Sequence, residues 1–164
     1  MSTPEARRLH VTTFAEACDR VRDCSADAAV LPLENSTAGT VDDVYALLLK
    51  DQLYLWRSLS LPIRHHLLAC PGSSIDAIRT VLSHPQALAQ CSDFISSRGW
   101  AVREALNTAF AAGQVATSGD KSLAAIASLE AAQTSGLDVL RSDINNTHSN
   151  QTRFIVVGRD FLVT

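Results

Sequence analysis

A chain of 164 residues suits one domain or two small lobes, and 46% hydrophobic with 19% charged residues is a core-forming composition rather than a disordered or fibrous one. The formal net charge of −3 and the lack of a basic stripe argue against nucleic-acid binding, and any anion site must be built from local donors rather than the overall field. No stretch has the length of a membrane span or a signal-peptide core, so a cytosolic protein without membrane attachment is expected.

In chain order, Thr13 and Glu16 form a capping-box pair that opens a helix through about Val21. Ala28 to Leu33 is a short apolar strand, and Val41 to Lys50 a helix with acids in its first turn and lysine at its end, as the helix dipole favours. Leu53 to Leu61 alternates loosely up to Pro62, a hinge position, and Ile63 to Ala69 is a further strand closed by Pro71-Gly72. A helix is expected from about Ser74 to Arg79, a strand from Thr80 to Leu82, and a helix opened by Pro85 through about Ser97. Ala101 to Ala105 reads as a strand and Thr108 to Gly113 as a short helix. Lys121 to Thr134 is Ala-rich and reads as one helix ended by Gly136. Leu137 to Leu140 and Phe154 to Val157 close the set as strands, with a polar crossover from Ser142 to Gln151. This alternation predicts an α/β fold with a largely parallel sheet.

The cysteines (Cys18, Cys24, Cys70, Cys91) show no Cys-x-x-Cys spacing and no paired histidines nearby, so reduced thiols are expected, with no metal and no cofactor. His65 and His66 share a strand, so they face opposite sides and cannot both serve one site. The informative unit is strand, polar loop, helix: Glu34-Asn35-Ser36-Thr37 after one strand, Ser83-His84-Pro85-Gln86 after a second, Asn107-Thr108-Ala109 after a third. Loops at the carboxyl ends of strands gather at one sheet edge, where helix starts offer unpaired N–H groups. A small carboxylate-bearing ligand fits such a site; plain helix capping is the alternative for each loop.

The strings LPLENSTAGTVDDVYALLL, LPIRHHLLA, SHPQALAQC, NTAFAA, LAAIASLEAA with its following Gly-Leu, and NQTRFIVV occur in this order between about Thr12 and Gly158. They resemble the successive motifs of the prephenate dehydratase family. The resemblance implies a two-lobed fold like the periplasmic binding proteins, with the ligand cleft between lobes. Lobe one would comprise 1–62 plus 152–164, and lobe two the inserted 63–151. It also implies conversion of prephenate to phenylpyruvate in phenylalanine biosynthesis, with loss of carbon dioxide and water. Of the Thr152-Arg153-Phe154 motif, Thr152 is placed beside the departing hydroxyl, as a hydrogen-bond donor to an oxygen that it is too weak an acid to protonate alone. Arg153 becomes a partner for a substrate carboxylate or, alternatively, for a neighbouring acid, and Glu34 an orienting group or an acid. Asn35, Ser36, Thr37, Ser83, His84, Gln86, Thr108 and Phe154 are the substrate-contact candidates.

Family members usually begin with a strand and a Gly-x-x-Gly-Thr-Phe-Ser loop, whereas this sequence opens on the following strand, around Leu9 to Val11. The expected consequence is an exposed edge in lobe one and self-association as a dimer or higher oligomer. No carboxyl-terminal ACT domain follows Thr164, so in-chain feedback by phenylalanine is not expected. The intact Thr-Arg-Phe motif argues for dehydration over the related decarboxylation. Arogenate as substrate, and a non-catalytic binding remnant, remain the alternative readings.

Overall fold

The computed structural model describes residues 7–160. The chain divides into two compact units, one formed by 1–63 and 149–164 and the other by 64–148. No helix among the described residues is long and apolar enough to cross a membrane.

In the first unit, helix α1 (Phe14–Arg22) begins where the Thr13 hydroxyl accepts the Glu16 N–H, as expected, while the Glu16 carboxylate reaches back to the Thr12 N–H rather than that of Thr13. Strand β1 (Ala28–Asn35) pairs at its far end with the two-residue β2 (Gly39–Thr40), and α2 (Asp42–Asp51) follows. Strand β3 (Tyr54–Pro62) ends at the proline read as a hinge. The last strand, β9 (Gln151–Gly158), inserts between β1 and β3, giving the order β2-β1-β9-β3 with every pair antiparallel. Ala29, Leu31, Ile155 and Val157 point to one face and form a core with Cys18 and Val21 of α1 and Val44 of α2. Arg159 ties this end down by donating to the carbonyls of Val21 (2.6 Å) and Ala26 (3.1 Å). Among the described residues no helix of this unit packs on the opposite face, where Val30 is 63% and Leu61 47% exposed.

The second unit is three-layered. Its strands are β4 (His66–Ala69), β5 (Thr80–Ser83), β6 (Ala101–Glu104), β7 (Leu123–Ala127) and β8 (Asp138–Arg141), in the order β6-β5-β7-β4-β8. The β6-β5-β7 part is parallel, whereas β4 runs antiparallel to both β7 and β8. Helices α3 (Pro85–Gln90) and α4 (Ser92–Arg98) cover one face, meeting Leu67, Val81, Ala124 and Ile126. Helices α5 (Thr108–Ser118) and α6 (Leu129–Ser135) cover the other, meeting Leu68, Leu82, Ala125 and Ala127. Alternate residues of each strand thus go to opposite cores, as period-two geometry requires.

Several expectations need correction. The sheets are mixed and antiparallel rather than largely parallel, because β4 and β9 return antiparallel to their neighbours. Leu9 to Val11 is not a strand. Lys121 to Thr134 is not one helix: Leu-Ala-Ala-Ile-Ala is the central strand β7, and Ser128 then caps α6. Alanine favours helices intrinsically, but a strand clasped by helices on both sides needs small residues, and tertiary packing overrides propensity. Ser74 to Arg79 holds only a 3₁₀ turn at Ile75–Ala77, and the single helix expected from Pro85 breaks at Cys91 into α3 and α4.

Candidate active site

The site is built on the paired ends of β1 and β9. A β-bulge between Pro32 and Glu34 leaves Leu33 as an extra residue, whose carbonyl accepts the Val41 N–H at the start of α2. One inserted residue exchanges the faces to which the following side chains point. Beyond it, Glu34 lies opposite Arg153 and Asn35 opposite Thr152. Asn35 and Thr152 therefore share the uncovered face with Phe154, while Glu34 and Arg153 lie on the other side of the sheet.

Asn35 is held rigidly. Its Oδ1 accepts the backbone N–H groups of Thr37 and Ala38, both at 3.0 Å, in an Asx turn. Its Nδ2 donates to Thr152 Oγ1 at 2.8 Å. Thr152 is buried, with 9% exposure. Behind the turn, the Ser36 hydroxyl donates to the Ser149 carbonyl (3.2 Å) and accepts the Gln151 N–H (3.0 Å). The Thr37 hydroxyl donates to Asn150 Oδ1 at 3.2 Å. Ser36 and Thr37 thus pin the loop after β1 to the segment entering β9. That loop returns as β2 rather than passing straight into a helix, unlike the expected strand-loop-helix unit.

On the opposite face, Arg153 Nε and Glu34 Oε1 lie 3.2 Å apart, with both side chains about half exposed. They border a concavity of about 250 Å³ whose lining also includes Asn35, Ser36, Thr40, Ser60 and Gln151, so it reaches the loop after β1. Strand alternation sets the Thr152 side chain on the other face from Arg153, while Asn35 both bonds Thr152 and borders the concavity.

In the second unit the expected residues gather at the carboxyl ends of the parallel strands. His84 is the N-cap of α3, its Nδ1 accepting the Gln86 N–H at 3.2 Å, and Gln86 is exposed. Asn107 caps α5 through Phe110 N–H at 2.7 Å, with Thr108 as the first helical residue. Capping therefore occupies both positions. Ser83 is fully buried, and its hydroxyl donates to the Ile126 carbonyl at 2.6 Å, stitching β5 to β7. Ser128, the N-cap of α6, stands at the end of β7 beside them and was missed because β7 and α6 read as a single helix. The serine ahead of Leu-Glu-Ala-Ala was the available signal for a new helix start.

The histidines on and before β4 part as expected. His65 Nε2 lies 2.8 Å from Gln90 Oε1 at the end of α3, and His66 Nδ1 accepts the Asp143 N–H at 3.3 Å. Burial pushes the His65 imidazole below its ordinary value, with the Gln90 contact opposing. All four cysteines are free thiols, with Cys18, Cys70 and Cys91 buried and Cys24 exposed; burial raises the Cys91 thiol to about 12.

Comparison with known proteins gives this geometry its context. The chain is 38% identical over 160 residues to arogenate dehydratase/prephenate dehydratase 1, chloroplastic, of Arabidopsis thaliana, which covers 98% of this chain and 41% of that protein. It thus spans about two fifths of the length of that relative. Among solved structures it superposes on the prephenate dehydratase of Arthrobacter aurescens in complex with L-Phe with a TM-score of 0.86 at 32% identity, over 95% of this chain and 53% of that one. It also superposes on GqqA, described as a novel type of quorum quenching acylase, with a TM-score of 0.85 at 35% identity, over 98% of this chain and 58% of that one. The fold is therefore that of the solved prephenate dehydratases, a mixed α/β arrangement like the periplasmic binding proteins. The family description "Prephenate dehydratase" matches residues 1–161, and the chain belongs to the prephenate dehydratase family.

Proposed function

We propose that this chain catalyses the decarboxylative dehydration of prephenate to phenylpyruvate, with Thr152 as the residue that assists loss of the ring hydroxyl. The observation that supports this most is the buried Thr152 on the family's Thr-Arg-Phe motif, its oxygen held at 2.8 Å by Asn35. In the reaction the bond from the ring to its carboxylate breaks and carbon dioxide departs. The electron pair left behind enters the ring, the carbon–oxygen bond at the far ring carbon breaks, and the hydroxide leaves with a proton as water. Aromatisation drives the sequence, so the protein needs mainly to orient the ring and stabilise the departing oxygen. Donation from the Thr152 O–H does this without full proton transfer. In the second unit, Gln86 presents an exposed side-chain amide suited to a carboxylate. We assign the Arg153–Glu34 pair, which borders the same concavity as Asn35, to holding β9 against β1.

Arogenate has the same ring and differs only in its side chain, and the Arabidopsis relative carries both substrates in its name. Side-by-side turnover of the two decides between them. An acylase reading, prompted by the likeness to GqqA, needs a nucleophile beside a base. Here the Ser83 hydroxyl donates to the Ile126 carbonyl and the Ser36 hydroxyl to the Ser149 carbonyl. An acyl-homoserine-lactone arm in the assay covers this case. We place the enzyme in the cytosol, a reducing compartment that suits its free thiols. We also infer self-association, because β3 is an exposed edge of the first sheet among the described residues.

The testing variant is Thr152→Ala. It is expected to lower kcat by roughly 10²–10⁴-fold while prephenate binding and folding persist. Unchanged kcat would remove Thr152 from the chemistry.

A further inference from the structure

Threonine brings one proton and two lone pairs to a site, and which of them meets the substrate depends on what the hydroxyl does on its protein side. In this structure Asn35 decides that. Its Oδ1 is fixed by the two N–H donors of the Asx turn, so the group aimed at Thr152 has to be the NH₂. At 2.8 Å, Nδ2 can only donate, and Thr152 Oγ1 can only accept. The Thr152 proton is thereby excluded from the Asn35 direction, and among the described residues no other side chain is bonded to that hydroxyl. The register keeps the pair in place: the Leu33 bulge puts Asn35, rather than Glu34, opposite Thr152.

We propose that Asn35 is a positioning residue: its amide holds the Thr152 hydroxyl by the oxygen, so that the Thr152 proton is presented to the departing oxygen of the substrate. Asn35 then acts through Thr152 rather than as a direct substrate contact. The donated hydrogen bond also polarises the hydroxyl and makes its proton a better donor, as in any hydrogen-bond chain. The proposal rests on the dehydratase reading above.

Asn35→Asp is the informative substitution. One carboxylate oxygen still accepts the turn N–H groups, while the other replaces the NH₂ with an acceptor and turns the Thr152 proton inward. At neutral pH kcat is expected to fall on the order of 10²-fold, with KM within about threefold of the unaltered chain. Lowering the pH protonates the aspartate and restores a donor, so the ratio of variant to unaltered kcat rises toward acid; both rates are corrected for spontaneous dehydration at each pH. Placed on Thr152→Ala, the change should add almost no further loss, since its target is gone. If Asn35→Asp does not fold, Asn35→Ala takes its place in the same cycle.

A raised KM with unchanged kcat would overturn the proposal and make Asn35 a substrate contact. So would losses that multiply fully in the double variant. If the unaltered chain has no turnover, or Thr152→Ala keeps full turnover, the dehydratase reading falls and this inference with it. Those two controls separate the two failures.

Discussion

At the residue scale, the polar side chains divide into those bonded to the protein through their protons and one held by its oxygen. Ser83, Ser36 and Thr37 give their hydroxyl protons to protein acceptors, whereas Thr152 is bonded through its oxygen. His65 belongs with the first group, and its environment makes a pH-dependence. Burial holds its imidazole below the ordinary value near 6.5, so the unfolded chain binds its proton first as pH falls. The stability that the neutral ring contributes is fully present above pH 6.5 and is lost as pH drops through that value toward the folded one. Chemical denaturation between pH 7.5 and 5.5 should show stability falling toward acid, by at most about 1.4 kcal/mol per pH unit for this one proton. In His65→Gln that part of the slope should vanish. Asp143, drawn below the usual carboxylate range by its hydrogen bond with Arg64, loses its contribution only at lower pH, outside this window. An identical slope in the variant would show that His65 is not the group responsible.

Which residues meet was only partly legible in the sequence. The Thr-Arg-Phe and Glu-Asn-Ser-Thr strings stand out, but the separation of Thr152 from Arg153 follows from strand alternation, and the pairing of Asn35 with Thr152 follows from a bulge. Nothing in Pro32-Leu33-Glu34 announces an extra residue at Leu33, beyond the proline that suits irregular pairing.

At the element scale, apolar strands and helices marked by a cap or by terminal charges were readable: α1, β1, α2, β5 and β9 lie near their expected positions. The largest misreading was β7, where four of the five residues are buried and three of the five are alanine. Its composition answers to the space between two helical layers, and that space is a property of the whole sheet rather than of the segment. The same crowding makes a prediction. Ala125 is fully buried among the small side chains Ala111 and Ala112 of α5, so Ala125→Leu forces strand and helix apart. A loss of about 1–3 kcal/mol or more in denaturant midpoint experiments is expected. Ala101→Leu on the exposed edge strand β6 should stay within about 0.5 kcal/mol. Equal, small effects at both positions would contradict the assignment of β7 as the packed centre of its sheet.

At the scale of the whole molecule, each unit has hydrophobic packing of its own. The first carries the Thr152–Asn35 pair on a sheet whose opposite face packs on α1 and α2. The second carries capped helix starts at the carboxyl ends of its parallel strands. Composition excluded a basic nucleic-acid surface, and the ordered motifs carried the family. Sequence periodicity alone reached only a small polar ligand.

The most direct test is to incubate the purified 164-residue chain with prephenate at neutral pH and follow phenylpyruvate against a no-protein control, since acid alone dehydrates prephenate. Rapid, saturable turnover, lost in Thr152→Ala, is the predicted result. A folded chain that leaves both prephenate and arogenate at the control rate would contradict the account.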